Sequence, residues 1–233
     1  MRCSQVLHSD NRADHGTEGL VDVSYQGNWQ KSVKTMFRAT EQTLGRVNPD
    51  INSGDPIGMG IGTQCIHKNA RITASSSYLA NHPSNLTVIT DAHVAKVLLE
   101  DKMAKGVRTV DGREFTAKHE VILSGGALST PQILLLSGIG PEKELSKHGI
   151  EQQHELAQVG QNLQDHCASI VGLFINKIDD APEQRPSPMG WFKTPAATTC
   201  PEFADLPVDV QKFLKLPTVP QWELCTVGSS STC

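Results

Sequence analysis

The side chains able to do chemistry here are histidines, cysteines, a serine run and several glycine clusters. Asp165-His166 could act as an acid–base pair, because a carboxylate beside an imidazole holds it ready to take a proton. Adjacent side chains rarely converge on one substrate atom, so a surface or supporting role is expected for both. His148 and His154 flank a helix end, and His93 and His119 belong to different strands, so the nine histidines form no metal-ligand set. The six cysteines (Cys3, Cys65, Cys167, Cys200, Cys225, Cys233) contain no CxxC pair, and free, mostly buried thiols are expected. Ser75-Ser76-Ser77 and Ser129 lack the frame of a nucleophile elbow. Asn85-Leu86-Thr87 is a formal glycosylation sequon. Gly58-x-Gly60-x-Gly62 invites a dinucleotide-loop reading, yet position 63 is Thr and no apolar strand precedes it, so a flexible surface loop is expected. Gly125-Gly126 is different. It follows the short apolar run Glu120–Leu123 and leads into a helix, an order suited to holding an anion.

The elements around that glycine pair are legible from periodicity. Leu86–Thr90 and His93–Glu100 alternate as strands, and Gly106–Val110 and Arg113–Ala117 flank Asp111-Gly112, a two-residue hairpin signal. With Glu120–Leu123 as a further strand, this makes a β-meander. Thr130 suits a helix N-cap and Pro131 the first helical position. That helix should bury Ile133, Leu134 and Leu136 and stop at Gly138; a second runs from Pro141 to a C-terminal Gly149. Upstream, Val33, Met36, Phe37, Thr40 and Leu44 space a helix over Lys31–Leu44, closed by Gly45, and Pro49–Gly62 reads as a loop. Downstream, Ser169–Ile175 reads as a strand and Pro207–Leu214 as a helix burying Val210, Phe213 and Leu214.

Composition narrows the function classes. The 233 residues are 38% hydrophobic with a formal charge of −4, which suits a globular chain and not a nucleic-acid binder. No apolar run approaches the roughly 18 residues of a membrane span. Met1–Asp14 is polar without an apolar h-region, which predicts no signal peptide and a cytoplasmic location.

The stretch Gly126-Ala127-Leu128-Ser129-Thr130-Pro131-Gln132-Ile133-Leu134-Leu135-Leu136-Ser137-Gly138-Ile139-Gly140 resembles the second signature of the glucose–methanol–choline (GMC) flavin oxidoreductases at each constrained position. Its flanks are similar too. Asn85–Ile89 and His93–Val97 resemble the family's adenine-side strand pair, Val159–His166 its "VGxNLxDH" segment, and His15–Gly19 its "HGxxG" segment. The resemblance implies an α/β plus α+β fold: a partial FAD-binding, Rossmann-like domain with a β-meander, joined to part of a substrate-binding domain. The implied division is 1–14 unstructured leader, 15–62 substrate-side segment, 63–166 partial FAD-binding domain and 167–233 partial substrate-binding domain.

The implied cofactor is FAD, its adenine held by the main-chain N–H and C=O of Val94, with Gly125 and Gly126 letting the backbone pass close by. The implied reaction is oxidation of a small-molecule alcohol by hydride transfer to the flavin, in a fungal-type member acting in secondary metabolism. The departures matter. No GxGxxG unit precedes His15, the first family signature is missing, and the chain stops before the family's catalytic histidine, so no catalytic residue is assigned. The expectation is therefore an internal fragment of a larger enzyme. The alternative is a non-catalytic remnant or interaction module from a decayed gene or faulty gene model.

Overall fold

In the computed structural model, strands β1 (Arg2–Cys3) and β2 (Asp22–Val23) precede helix α1 (Lys31–Thr43) and strands β3 (Gly58–Ile61), β4 (Ile66–His67) and β5 (Ala70–Arg71). Next come β6 (Val94–Glu100), β7 (Met103–Thr109), β8 (Glu114–Thr116), α2 (Gly126–Leu136) and α3 (Glu142–Lys147). The chain closes with β9 (Pro188–Phe192), α4 (Ala196–Thr199), α5 (Pro201–Ala204), α6 (Val208–Lys215) and β10 (Trp222–Cys225). The structure describes residues 2–3, 15–16, 18–25, 31–68, 70–172 and 188–226. Two units result: Met1–Pro83 with Phe174–Cys233, and Ser84–Leu173.

The first unit is built on the antiparallel sheet β10-β9-β3. Its core is Met59, Ile61 and Phe192 with Val33 of α1, each buried and worth about 1.5–3 kcal/mol of transfer free energy. Phe192 also stacks on Trp222 with ring centroids 4.6 Å apart. Gly58 and Gly60 lie in this buried strand, not in the flexible loop that their composition suggested. A Cβ on Gly60 would sit 2.6 Å from the carbonyl oxygen of Asn48, so the glycine serves close backbone approach. Asn48 N–H donates to Met59 O at 2.7 Å across that approach. Helix α1 ends as expected: Gly45, at φ 100°, donates its N–H to Thr40 O at 2.8 Å. Leu44 lies past the last turn and is exposed.

Some expectations differ from the structure in this unit. Arg2–Cys3 pairs in parallel with Asp22–Val23, so the leader is not wholly without pattern. The expected helix near Pro207 forms as α6, with Pro207 as its N-cap, but Phe213 is 57% exposed and Val210 36%. Cys65 and Cys225 are exposed and Cys200 half-buried, against the expectation of buried thiols; Cys167 of the second unit is exposed too. Gly228–Cys233, the expected loose tail, falls outside the described residues.

The second unit is the meander β6-β7-β8 with α2 packed on β6. The turn between β6 and β7 is Asp101-Lys102, with both residues left-handed at φ 49° and 63°, the geometry of a type I′ hairpin. The second hairpin is not the two-residue turn expected at Asp111-Gly112. Only Gly112 is left-handed, at φ 88°, and Thr109 N–H donates to Arg113 O at 2.9 Å around the loop 110–112. Thr109 Oγ1 donates to the Asp111 carboxylate, and Arg113 Nε donates to its other oxygen at 2.8 Å, which holds the longer loop shut.

Leu86–Thr90 and Glu120–Leu123 form no strands, because a strand needs a hydrogen-bonded neighbour and none pairs with them among the described residues. Residues 169–172 of the expected strand Ser169–Ile175 are likewise unpaired and exposed; the remainder lies outside the described residues. Helix α2 starts at Gly126, not at Pro131, which lies inside it. Thr130 still serves the helix start, since its Oγ1 accepts the Gly125 N–H at 2.9 Å from one turn further in. Ile133 and Leu134 are half-buried, whereas Leu136 is 45% exposed. Both α2 and α3 end on left-handed glycines, Gly138 at φ 78° and Gly149 at φ 66°. In each, paired bonds to the last turn (Gly138 N–H to Leu135 O, Ile139 N–H to Leu134 O; Gly149 N–H to Ser146 O, Ile150 N–H to Leu145 O) make a Schellman motif. Pro141 is the N-cap of α3 and not its first helical residue.

Candidate cofactor-binding site

Strand β6 is an edge of its sheet, so half of its backbone groups have no strand to meet. Val110 N–H donates to His93 O at 2.8 Å, which turns His93 toward β7. By strand alternation the next residue, Val94, directs its N–H and C=O to the open edge. A register shift between Val94 and Lys96 marks a bulge there, a device that re-aims backbone beside a site.

Segment 121–125 leads to the start of α2 and lines a cleft of about 440 Å³. Val94, Val107, Phe115, Val121, Leu123 and Gly125 line it. Of the three residues singled out from sequence, Val94 and Gly125 thus share one cleft. Gly126 is the next residue along and does not line it. The two glycines are needed for different reasons. A Cβ on Gly125 would lie 3.2 Å from Thr130 N, whereas Gly126 has open space but a φ of 81° that disfavours any side chain. No side chain caps α2, so the amides of its first turn keep their partial positive charge for a ligand.

Chemically, the exposed edge of one extended residue offers a donor and an acceptor side by side. Adenine presents the complementary acceptor and donor on one edge, with flat apolar faces that suit walls of Val107, Phe115 and Leu123. The residues present fit the adenosine half of FAD: Val94 would meet the base, and the glycine turn would allow close passage of the remainder.

Other polar groups are not among the residues that line this cleft. Asp165 accepts the backbone N–H of His166 at 2.7 Å and is exposed, the surface placement expected for the pair. In the first unit, His15 Nε2 meets Asp50 Oδ2 at 2.5 Å, and the buried Asp50 also accepts Asn52 N–H at 3.0 Å. Nothing local in the sequence announces that contact across 35 positions. The sequence reading also passed over the Ser137 hydroxyl, which accepts Val97 N–H at 2.8 Å; the serine's place beside a helix-ending glycine was the available signal. Among the described residues no cluster of His, Cys, Asp and Glu could hold a metal ion, and no helix is long and apolar enough to cross a membrane.

Comparison with known proteins bears on the family of the chain. A family model described as GMC oxidoreductase matches residues 12–168. The chain is 37% identical over 159 residues to an alcohol dehydrogenase [acceptor] of Pseudomonas putida, covering 65% of this chain and 29% of that protein. It is 42% identical over 124 residues to a GMC-type oxidoreductase of Aspergillus aculeatus, covering 52% and 23% respectively. The crystal structure of a formate oxidase superposes with a TM-score of 0.60 at 28% identity, over 69% of this chain and 29% of that one. The chain thus spans between 21% and 33% of the length of the curated relatives it matches. Its mixed α/β architecture with open sheets matches the GMC-type, Rossmann-like FAD-binding fold of those structures. The family model spans two thirds of the chain, including the cleft and α2, and the chain belongs to the FAD-linked GMC oxidoreductase family.

Proposed function

We propose that this chain supplies the adenine side of the FAD site in a GMC-type oxidoreductase that oxidises a small-molecule alcohol. One observation carries the reading: Val94, on the open edge strand, and Gly125, before the signature helix, line one cleft. FAD, when bound, supplies the hydride acceptor. The chain's own part is to seat the adenosine by backbone hydrogen bonds and to keep that cleft apolar. Support for an alcohol substrate comes from relatives named as an alcohol dehydrogenase and as choline dehydrogenases. The Aspergillus relative supports a fungal-type member. In this reading the Ser84–Leu173 unit carries the cofactor side, and the other unit the substrate side.

Titrating the ¹⁵N-labelled chain with AMP tests the assignment. The amide signals of Val94 and Gly125 should shift together and saturate at one concentration. Shifts confined to residues outside the cleft would overturn it.

A further inference from the structure

Helix α2 is apolar along most of its length, and apolar packing alone lets a helix slide. Its one side-chain hydrogen bond to β6 among the described residues runs through Ser137. That hydroxyl accepts the Val97 N–H at 2.8 Å and donates to Ile133 O at 2.6 Å, so both its capacities are used. Both ends are out of water: Val97 is 6% exposed and Ser137 7%. Without the hydroxyl, the Val97 N–H would face outward from an edge strand, buried and unpaired. The bond is directional, and the Schellman motif at Gly138 fixes the backbone that carries it.

Strand β6 leads back from Val97 to Val94, and helix α2 leads back from Ser137 to Gly125. The two elements therefore form the sides of a frame whose pinned corner is the hydroxyl and whose open end is the cleft. We propose that Ser137 is a positioning residue for the cofactor: it fixes the register of α2 on β6 and through it the separation between the Val94 edge and the Gly125 turn. It touches no ligand itself. The proposal rests on the reading of that cleft as the adenosine site.

The test uses the 233-residue chain with AMP as the probe. Ser137→Ala should keep its circular dichroism spectrum, speed hydrogen exchange at the Val97 amide, and weaken AMP binding about tenfold. Ser137→Thr and Ser137→Val have nearly the same shape and differ in the hydroxyl, so Thr should restore both exchange protection and AMP affinity relative to Val. This pair decides the matter if the alanine variant does not fold. Wild-type AMP affinity in folded Ser137→Ala, or equal affinity in the Thr and Val variants, overturns the role of Ser137. Absence of any AMP-induced shift at Val94 in the wild-type chain is a different result: it overturns the cofactor reading, and the positioning role with it.

Discussion

In the proposed site the backbone of Val94, and not its side chain, meets the base, and that separates two substitutions that would otherwise look alike. Val94→Ala trims a half-buried side chain and should cost about 1 kcal/mol of stability while AMP affinity stays near wild type. Val94→Pro removes the edge N–H, and AMP binding should fall about tenfold beyond the alanine variant if both fold by circular dichroism. Equal affinities would place the base elsewhere. Val94 and Gly125 were legible only through resemblance, since a valine in a strand and a glycine before a helix are common in any fold. The hydroxyl of Ser137 and the His15–Asp50 contact were not legible, because their partners lie 40 and 35 positions away and only the folded chain brings them together.

At the scale of elements, the two hairpins show what turn chemistry can and cannot announce. Asp111-Gly112 carries the stronger sequence signal but closes a longer loop, because Thr109 and Arg113 both bind the Asp111 carboxylate. Asp101-Lys102 carries no glycine and yet makes the tight turn, at the expense of two left-handed side chains. Replacing that pair by Asn-Gly should raise stability by about 0.5–1 kcal/mol, read as a higher urea midpoint with an unchanged slope. The Asp111 loop should respond to acid. Arg113 first, and then Thr109, hold the Asp111 carboxyl well below the ordinary aspartate value of 3.8. A depressed carboxylate contributes stability above its unfolded value and loses that contribution as pH falls through the folded one. Amide protection in the loop, measured relative to the unstructured exchange rate at each pH, should therefore fall on acidification below about pH 4 in the wild type and hardly change with pH in Asp111→Asn, with added salt shrinking the difference because the loop is exposed. Alternation found β6, and the closing glycine with the apolar run before it found the body of α2. Alternation misread Leu86–Thr90 and Glu120–Leu123, where the pattern is present but no neighbouring strand is.

At the scale of the whole molecule, many large apolar side chains among the described residues are left in water. Ile122 is 76% exposed, Leu128 71%, Ile170 97% and Val171 80%, all in the unit that carries the cleft. Such exposure predicts that the chain in isolation binds the dye ANS strongly and associates as its concentration rises. A monodisperse monomer with weak dye fluorescence and a sharp thermal transition would contradict this. The pairing of β3 with β9 has a consequence for how the chain is made. It joins residue 58 to residue 191, whereas β6, β7 and β8 pair with immediate neighbours in sequence. Contacts of short sequence separation form fastest, so the meander closes while later residues are still being synthesised. Strand β3 waits for a partner that leaves the ribosome more than a hundred residues behind it, and through that interval its Met59 and Ile61 are open to chaperones and to other nascent chains.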